Sequence, residues 1–142
     1  MTLTEIQDQI VEEFAAFSDW MDRYNYLIEL GRDLPAIEPK YKTDEYLING
    51  CQSKVWLHAE FIDGKMNFTA DSDAIIVKGI VALLIRALNN QDASEIMNAD
   101  LYFIDKIGLK ENLSPTRSNG LVSMIKKMKM YSLAYYTKHS RH

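Results

Sequence analysis

Apolar residues recur at helical spacing in four stretches of the chain. Isoleucines and phenylalanines at positions 6, 10, 14 and 17 are three or four residues apart, which predicts a helix over Thr4–Phe17. The spacing continues over Trp20–Leu30 and predicts a second helix. Ala74–Leu88 is apolar almost all round, so we expect this helix at the centre of the domain. Ser114-Pro115 should open a last helix, because the first turn tolerates proline. The predicted inner stripe of that helix is Leu121, Met124, Ile125, Met128, Tyr131 and Tyr135.

The period changes to two in the middle of the chain. Apolar residues alternate with polar ones over Val55–Phe61, which predicts a strand with one buried face. Asp63-Gly64 is a hairpin turn signal, and Met66–Ala70 alternates again as a second strand. Tyr46–Ile48 is a candidate for a short third strand. The predicted order is two helices, three strands and three helices, which is an α+β fold with a small antiparallel three-stranded sheet packed against helices.

Polar residues indicate where the later elements begin. Asp71–Asp73 precedes the central helix, and its side chains are expected to cap that helix. Asp92 with Glu95 three residues later fits a capping box for a short helix that ends near Asn98. A loop is then expected to cross Gly108 before the last helix.

Length and composition are typical of one globular domain, 1–142, with a net charge of −4. A single cysteine excludes an internal disulfide and every CxxC metal-ligand set within the chain. The N-terminus is acidic rather than signal-like, so a free thiol favours a reducing cytoplasm.

The longest apolar run is short for a membrane span and contains Lys78 and Arg86. Bases without acids from Arg117 onward fit an amphipathic helix better than a nucleic-acid site, so we expect neither a membrane nor a nucleic acid as partner.

Cys51, the only cysteine, is the first candidate for chemistry. It follows Asn49 and Gly50 and precedes Gln52 and Ser53, in the predicted connection before the long strand. A loop thiol is more accessible than one within a strand, and sulfur chemistry needs access and thiolate character. A partly buried cysteine without a role remains an equal alternative on the residues alone.

The histidines give little support to a cysteine hydrolase. Such an enzyme needs a histidine base beside the thiol. His58 lies seven residues further on within the predicted strand, and His139 and His142 fall in a tail that is expected to fray. A dithiol redox enzyme would need a second cysteine. A thiol that accepts a sulfur atom as a persulfide and hands it on needs neither group.

Arg117 and Asp73 are the other candidates. Arg117 lies near the start of the last helix, where a positive charge does not complement the helix dipole. It is either a surface arginine that bonds to a carbonyl or an acid, or a residue that braces a loop or meets an anion. Asp73 is accounted for by helix capping, with a role at a partner surface as the alternative.

Five strings in the chain form a pattern that runs in order over nearly its whole length. The most specific is GCQSKVW at residues 50–56. The others are DSDAIIVKG at 71–79, LSPTRSNGL at 113–121, YLIELG at 26–31 and LP at 34–35. Together these strings resemble the SufE family of sulfur acceptors.

The resemblance implies an accessory protein of iron–sulfur cluster assembly rather than an enzyme. Its fold would be like that of the IscU-type scaffolds, and its partners would be a SufS-like cysteine desulfurase, which it stimulates, and a scaffold downstream. Cys51 would take the persulfide, Gly50, Gln52 and Ser53 would shape its loop, and Asp73 and Arg117 match motif positions. The pyridoxal phosphate would belong to the desulfurase, and this chain would hold no cofactor or metal. The family tends to shelter its cysteine loop at rest.

Two other functions stay open. One is a scaffold that assembles a cluster through ligands from more than one molecule. The other is an allosteric binding protein in which Cys51 is structural. A monomer and a homodimer both agree with the sequence.

Overall fold

The computed structural model describes residues 1–139. Helices α1 (Leu3–Ala15) and α2 (Trp20–Arg32) follow the predicted spacing closely. Thr2 and Glu5 form a capping box at the start of α1, and the Asp19 carboxylate accepts a hydrogen bond from the Asp22 amide at the start of α2. The irregular stretch after α2 contains two 3₁₀ turns, Pro39–Tyr41 and Asp44–Tyr46.

The sheet has three antiparallel strands in the order β1-β2-β3, as the fold class predicted, but one strand differs. β1 (Val55–Ile62) and β2 (Lys65–Ser72) form the expected hairpin around Asp63-Gly64. The third strand is β3 (Gln91–Asp92), which pairs with the start of β2. The prediction of a strand at Tyr46–Ile48 was wrong, because Tyr46 ends a 3₁₀ turn and Leu47 makes only an isolated bridge to Trp56.

The remaining helices complete the domain. They are α3 (Ile75–Leu88), α4 (Ala93–Met97), α5 (Phe103–Lys106), α6 (Leu109–Asn112) and α7 (Pro115–His139). The segment around Gly108, predicted as a loop, contains the short helices α5 and α6. Among residues 1–139, no helix has the length and apolarity needed to cross a membrane.

Both capping predictions were wrong. α3 begins after Ala74 without a side-chain cap, because Asp71 and Ser72 belong to the end of β2. Asp92 precedes α4, but its side chain caps nothing, and its backbone lies in β3 opposite Lys65. In both places no more than two residues lie between the end of a strand and the helix, so the backbone of the polar residues is positioned by the sheet.

The core lies between one face of the sheet and α3. Val55, Leu57 and Ala59 of β1 are buried, as their alternation predicted, and most of α3 is buried as well. The predicted inner stripe of α7 is confirmed in part. Leu121, Met124 and Met128 are buried, and Ile125, Tyr131 and Tyr135 are half-buried against the core.

Helices α2 and α3 cross in very close contact. The contact is made by two glycines, Gly31 on α2 and Gly79 on α3. A Cβ atom built on Gly79 would lie 2.2 Å from the carbonyl oxygen of Leu27. The backbones therefore touch directly, and the position of α3 in the core depends on the absence of a side chain there.

A half-buried ion pair joins α1 to α3. The Arg86 guanidinium donates to both carboxylate oxygens of Glu13, with Nη1 2.9 Å from Oε1, and the Tyr26 hydroxyl donates to Oε1 at 2.6 Å. The hydrogen bonds from Arg86, followed by that from Tyr26, hold the pKa of Glu13 below its ordinary value despite partial burial.

Glu13→Gln is expected to lower the free energy of unfolding by about 2 kcal/mol at neutral pH, because Arg86 loses a charged acceptor. A lowered folded pKa contributes stability above the unfolded pKa of about 4.3, and that stability is lost as pH falls through the folded value. Urea unfolding between neutral and acidic pH should therefore show the wild type converging on the variant. The exposed Glu12→Gln is the control. A constant gap between wild type and Glu13→Gln at every pH would contradict this assignment.

Candidate functional site

Cys51 lies in the turn that leads into β1. The Ile48 amide donates to the Val55 carbonyl at 2.9 Å, which closes the base of the turn. Gly50 has φ +91°, in the left-handed region, and so directs the chain toward α7. Sγ of Cys51 donates a weak hydrogen bond to the Gly120 carbonyl at 3.6 Å. The thiol is half-buried, and this burial raises its pKa.

The thiol opens into a pocket of about 120 Å³ between the loop, α3 and the start of α7. Val77 and Ile80 of α3 and Met124 of α7 supply apolar walls. The polar part of the lining consists of Gln52, Ser53, Ser114, Thr116 and Arg117. A half-buried thiol thus opens into a pocket whose lining combines apolar side chains with residues that carry hydroxyl, amide and guanidinium groups.

Arg117 lies at this pocket, so the structure brings together two residues that are 66 positions apart in the sequence. Its side chain is exposed, and within residues 1–139 the guanidinium makes no hydrogen bond or ion pair. The sequence allowed two interpretations of Arg117. The first, a surface arginine bonded to a carbonyl or an acid, does not fit, because the guanidinium has no such partner among the described residues. The geometry leaves the charge available to an anionic group that enters the pocket.

Asp73 does not line the pocket, but it fixes the end of the Cys51 loop. Its Oδ1 accepts from the Lys54 amide at 3.0 Å, and its own amide donates to the Lys54 carbonyl at 3.2 Å. The buried Ser72 hydroxyl donates to the same carbonyl at 2.8 Å. Both backbone groups of Lys54 are thereby held, so the loop is anchored three residues after Cys51.

The histidines lie elsewhere. The His58 ring stacks on Tyr41 with centroids 3.5 Å apart, and its Nε2 contacts Glu60 at 3.3 Å. His139 was expected to fray, but it is the last residue of α7 and stacks on Phe61 with centroids 4.5 Å apart. Neither ring is part of the thiol pocket. His142 lies outside the described residues.

Sequence reasoning named Arg117 near the start of α7 but missed that the next turns of this helix also form the site. Gly120, which appeared only within a motif string, packs against Cys51, and a Cβ on it would lie 3.6 Å from Sγ. Ser123, one turn further on, packs against Gly50. Glycine is costly inside a helix, so its presence at position 120 was the local signal that this turn of α7 could contact another segment, here at ordinary van der Waals distance.

Gly50→Ala should lower the stability more than the same change at Gly64. Both glycines have positive φ, +91° and +82°, so each alanine costs about 1–2 kcal/mol in backbone strain. A Cβ on Gly50 would also lie 2.5 Å from Oγ of Ser123, whereas no atom of the described part of the chain lies within 4 Å of one on Gly64. We expect an extra loss of about 1 kcal/mol at Gly50, measured by urea unfolding, that Ser123→Ala restores. Equal losses at the two glycines would show that α7 does not restrain the loop.

The fold and the thiol pocket define a small α+β protein with one sheltered loop cysteine. A family model described as SufE, Fe-S metabolism associated domain, matches residues 8–132. The chain therefore belongs to the SufE family, and its role lies in iron–sulfur metabolism. The resemblance of the five sequence strings is confirmed by this match.

Relatives from several organisms agree. An uncharacterized SufE-like protein of Rhizobium etli is 45% identical over 127 residues, which cover 86% of each chain. One from Synechocystis sp. is 37% identical, with 89% of this chain and 80% of the relative covered. SufE-like protein 1, chloroplastic/mitochondrial, of Arabidopsis thaliana is 35% identical over 88% of this chain and 34% of its own length.

A solved structure has the same fold. The solution structure of a hypothetical protein from Thermus thermophilus superposes with a TM-score of 0.78. The superposition covers 93% of this chain and 96% of the other, at 22% sequence identity. The α+β fold with its three-stranded sheet therefore has a structural counterpart.

Proposed function

We propose that this protein is a sulfur acceptor that takes a persulfide sulfur on Cys51 from a cysteine desulfurase and passes it on for iron–sulfur cluster assembly. It acts as an accessory protein and stimulates its partner. The observation that carries this proposal is the position of the chain's one thiol, half-buried beside a pocket with room for a further atom and with Arg117 at hand. Membership of a family associated with Fe–S metabolism supports it.

The transfer needs one thiolate and one leaving thiolate. The Cys51 thiol loses its proton, and the thiolate attacks the outer sulfur of a persulfide on the desulfurase. A sulfur–sulfur bond forms on Cys51 while the bond in the donor breaks, and the donor cysteine leaves as a thiolate that takes up a proton. No oxidant or reductant is consumed. The pyridoxal phosphate that releases sulfur from cysteine belongs to the desulfurase.

Each neighbour of the thiol has a role in this scheme. The apolar walls from Val77, Ile80 and Met124 keep water from the persulfide, while the Arg117 charge attracts its anionic form. Gly50 sets the backbone at one end of the loop, and the hydrogen bond from the Lys54 amide to Asp73 holds the other end. Gln52 and Ser53 complete the rim between them.

The resting thiol is poorly prepared to react. Burial raises the pKa of Cys51, so the thiolate fraction at neutral pH is below that of a free cysteine. Docking of the desulfurase has to move the loop or supply a positive charge before attack. While no partner is docked, the same burial keeps small reductants away from a persulfide on Cys51. A free thiol of this kind suits a reducing compartment such as the cytoplasm.

Intact mass spectrometry tests the proposal. The protein is incubated with a SufS-like cysteine desulfurase and L-cysteine, and its mass should increase by one sulfur atom, with peptide mapping of the addition to residues 50–56. A reductant should remove the added sulfur, and no addition should occur without the desulfurase. The absence of a sulfur adduct on the wild type, or one that maps outside this segment, would refute the acceptor role.

A further inference from the structure

A second and larger concavity lies along α7. Its volume is about 480 Å³, within the range of roughly 300–1,000 Å³ that is typical of binding pockets. The apolar part of its lining consists of Val122, Ile125, Met130 and Leu133 of α7 with Met97 of α4. We call this surface the α7 groove.

The groove exists because α7 carries two apolar stripes. The inner stripe includes Leu121, Met124 and Met128, which are buried in the core. The outer stripe includes Val122, Met130 and Leu133, which are 51%, 53% and 49% exposed. Single exposed apolar residues are ordinary, but here several large ones adjoin in one concave surface, which is typical of a binding site.

Among residues 1–139, the charged side chains that line the groove are all positive, and they are Lys110, Lys126 and Lys129. The Lys129 ammonium donates a hydrogen bond to the Ala99 carbonyl at 2.6 Å, and this bond fixes the position of its positive charge. A partner with apolar side chains between carboxylates would complement both the shape and the charge.

These features favour another protein over a second copy of the chain as the partner. A two-fold pairing of grooves would oppose the lysines of one copy to those of the other. In a head-to-tail pairing, the acidic helix α1 would have no Ile10 or Phe14 side chain to insert into the groove, because both are buried in the core. A concave surface between two helices also fits inserted side chains better than a lipid surface.

We infer that the α7 groove binds an amphipathic helix of a partner protein, with an apolar stripe flanked by glutamate or aspartate. Such helices place residues at i, i+3, i+4 and i+7 into an apolar groove. The inference goes beyond the sulfur-acceptor function and does not depend on it.

The groove and the thiol pocket lie on opposite sides of α7. The pocket is lined by Gly120 and Met124, and the groove by Val122, Lys126 and Lys129. At 3.6 residues per turn these two sets point in opposite directions from the helix axis. The two lining sets share no residue, so the helix and a protein that reaches Cys51 can be bound together.

Fluorescence anisotropy with the full chain tests the inference. The probe is a labelled helical peptide with leucines at helical spacing and glutamates on both flanks, and the matched probe has lysines in place of the glutamates. We expect the acidic peptide to bind at least about tenfold more tightly than the basic one, and more weakly as salt rises. Cys51→Ser should bind the acidic peptide as the wild type does.

Variants locate the site. Met130→Glu and Lys126→Glu should each weaken binding of the acidic peptide by about tenfold, since they remove an apolar contact or reverse a charge. The controls are Met21→Glu, an exposed methionine on α2, and Lys138→Glu, an exposed lysine of α7 outside the groove, and they should bind normally. Thermal unfolding checks that every variant is folded.

Several outcomes would overturn the inference. The inference is wrong if the acidic peptide does not bind, if both peptides bind equally, or if groove and control variants have equal effects on binding. Self-association in sedimentation that Met130→Glu abolishes would assign the groove to a second copy. Binding to anionic phospholipid vesicles, with the acidic peptide unbound, would assign it to a membrane surface.

Discussion

Cys51→Ala is expected to abolish sulfur transfer while leaving the association with the desulfurase within about threefold of the wild-type affinity. The chain has no other thiol, so no second residue can take over the attack. The substitution removes one weak hydrogen bond to the Gly120 carbonyl and a half-buried sulfur atom, so we expect a loss in folding stability of only about 1 kcal/mol.

Turnover of the desulfurase and binding should be measured on the same preparations. The wild type should raise the rate of sulfur release from cysteine, and Cys51→Ala should leave it at the level of the desulfurase alone. Cys51→Ser, which keeps a polar group near the Gly120 carbonyl, is the control for loop structure and should also be inactive. Stimulation that survives both substitutions would favour the allosteric function, with a structural Cys51.

Gly79→Ala is expected to lower the free energy of unfolding by about 3 kcal/mol, at the upper end of the range for overpacked sites. The new methyl group would lie 2.2 Å from the Leu27 carbonyl oxygen and 2.7 Å from its carbon. These are backbone atoms, which cannot turn away as a side chain can. Relief requires α2 and α3 to separate, and that would loosen contacts throughout the core. Urea unfolding monitored by circular dichroism measures the loss.

Gly120→Ala is the matched control for Gly79→Ala. Both glycines lie inside helices, so alanine should improve the intrinsic helix propensity at each by about 1 kcal/mol. At Gly120 the new Cβ would make an ordinary contact, 3.6 Å from Sγ of Cys51. We therefore expect Gly120→Ala to be neutral or slightly stabilising. Similar losses for both variants would show that the direct backbone contact of α2 and α3 does not set the cost.

The sheltered thiol agrees with one expectation and qualifies another. A loop position suggested an accessible thiolate, but burial against α7 raises the pKa of Cys51 and limits access. The family resemblance implied a sheltered loop, and the structure has one. The difference arises because loop residues are exposed on average, whereas this loop is packed against a helix that starts 64 residues later.

Local patterns in the sequence determined much of this protein. The helices α1, α2, α3 and α7, the β1–β2 hairpin and the buried faces follow from apolar periodicity and from the Asp63-Gly64 turn. These features depend on neighbours within a few residues, which a single sequence displays. The candidate for the reactive residue also came from the sequence, because the chain has one cysteine and the string around it is specific.

Only the tertiary structure decided which distant segments meet. The third strand of the sheet is formed by Gln91, which pairs with Met66, and not by the expected segment Tyr46–Ile48. The Asp73 carboxylate accepts a hydrogen bond from the Lys54 amide and does not cap a helix. The tertiary structure also placed Gly120 against Cys51 and left the outer stripe of α7 uncovered. These outcomes depend on how the whole chain packs, since a polar group takes whichever partner the fold brings near it, and no local pattern records that partner.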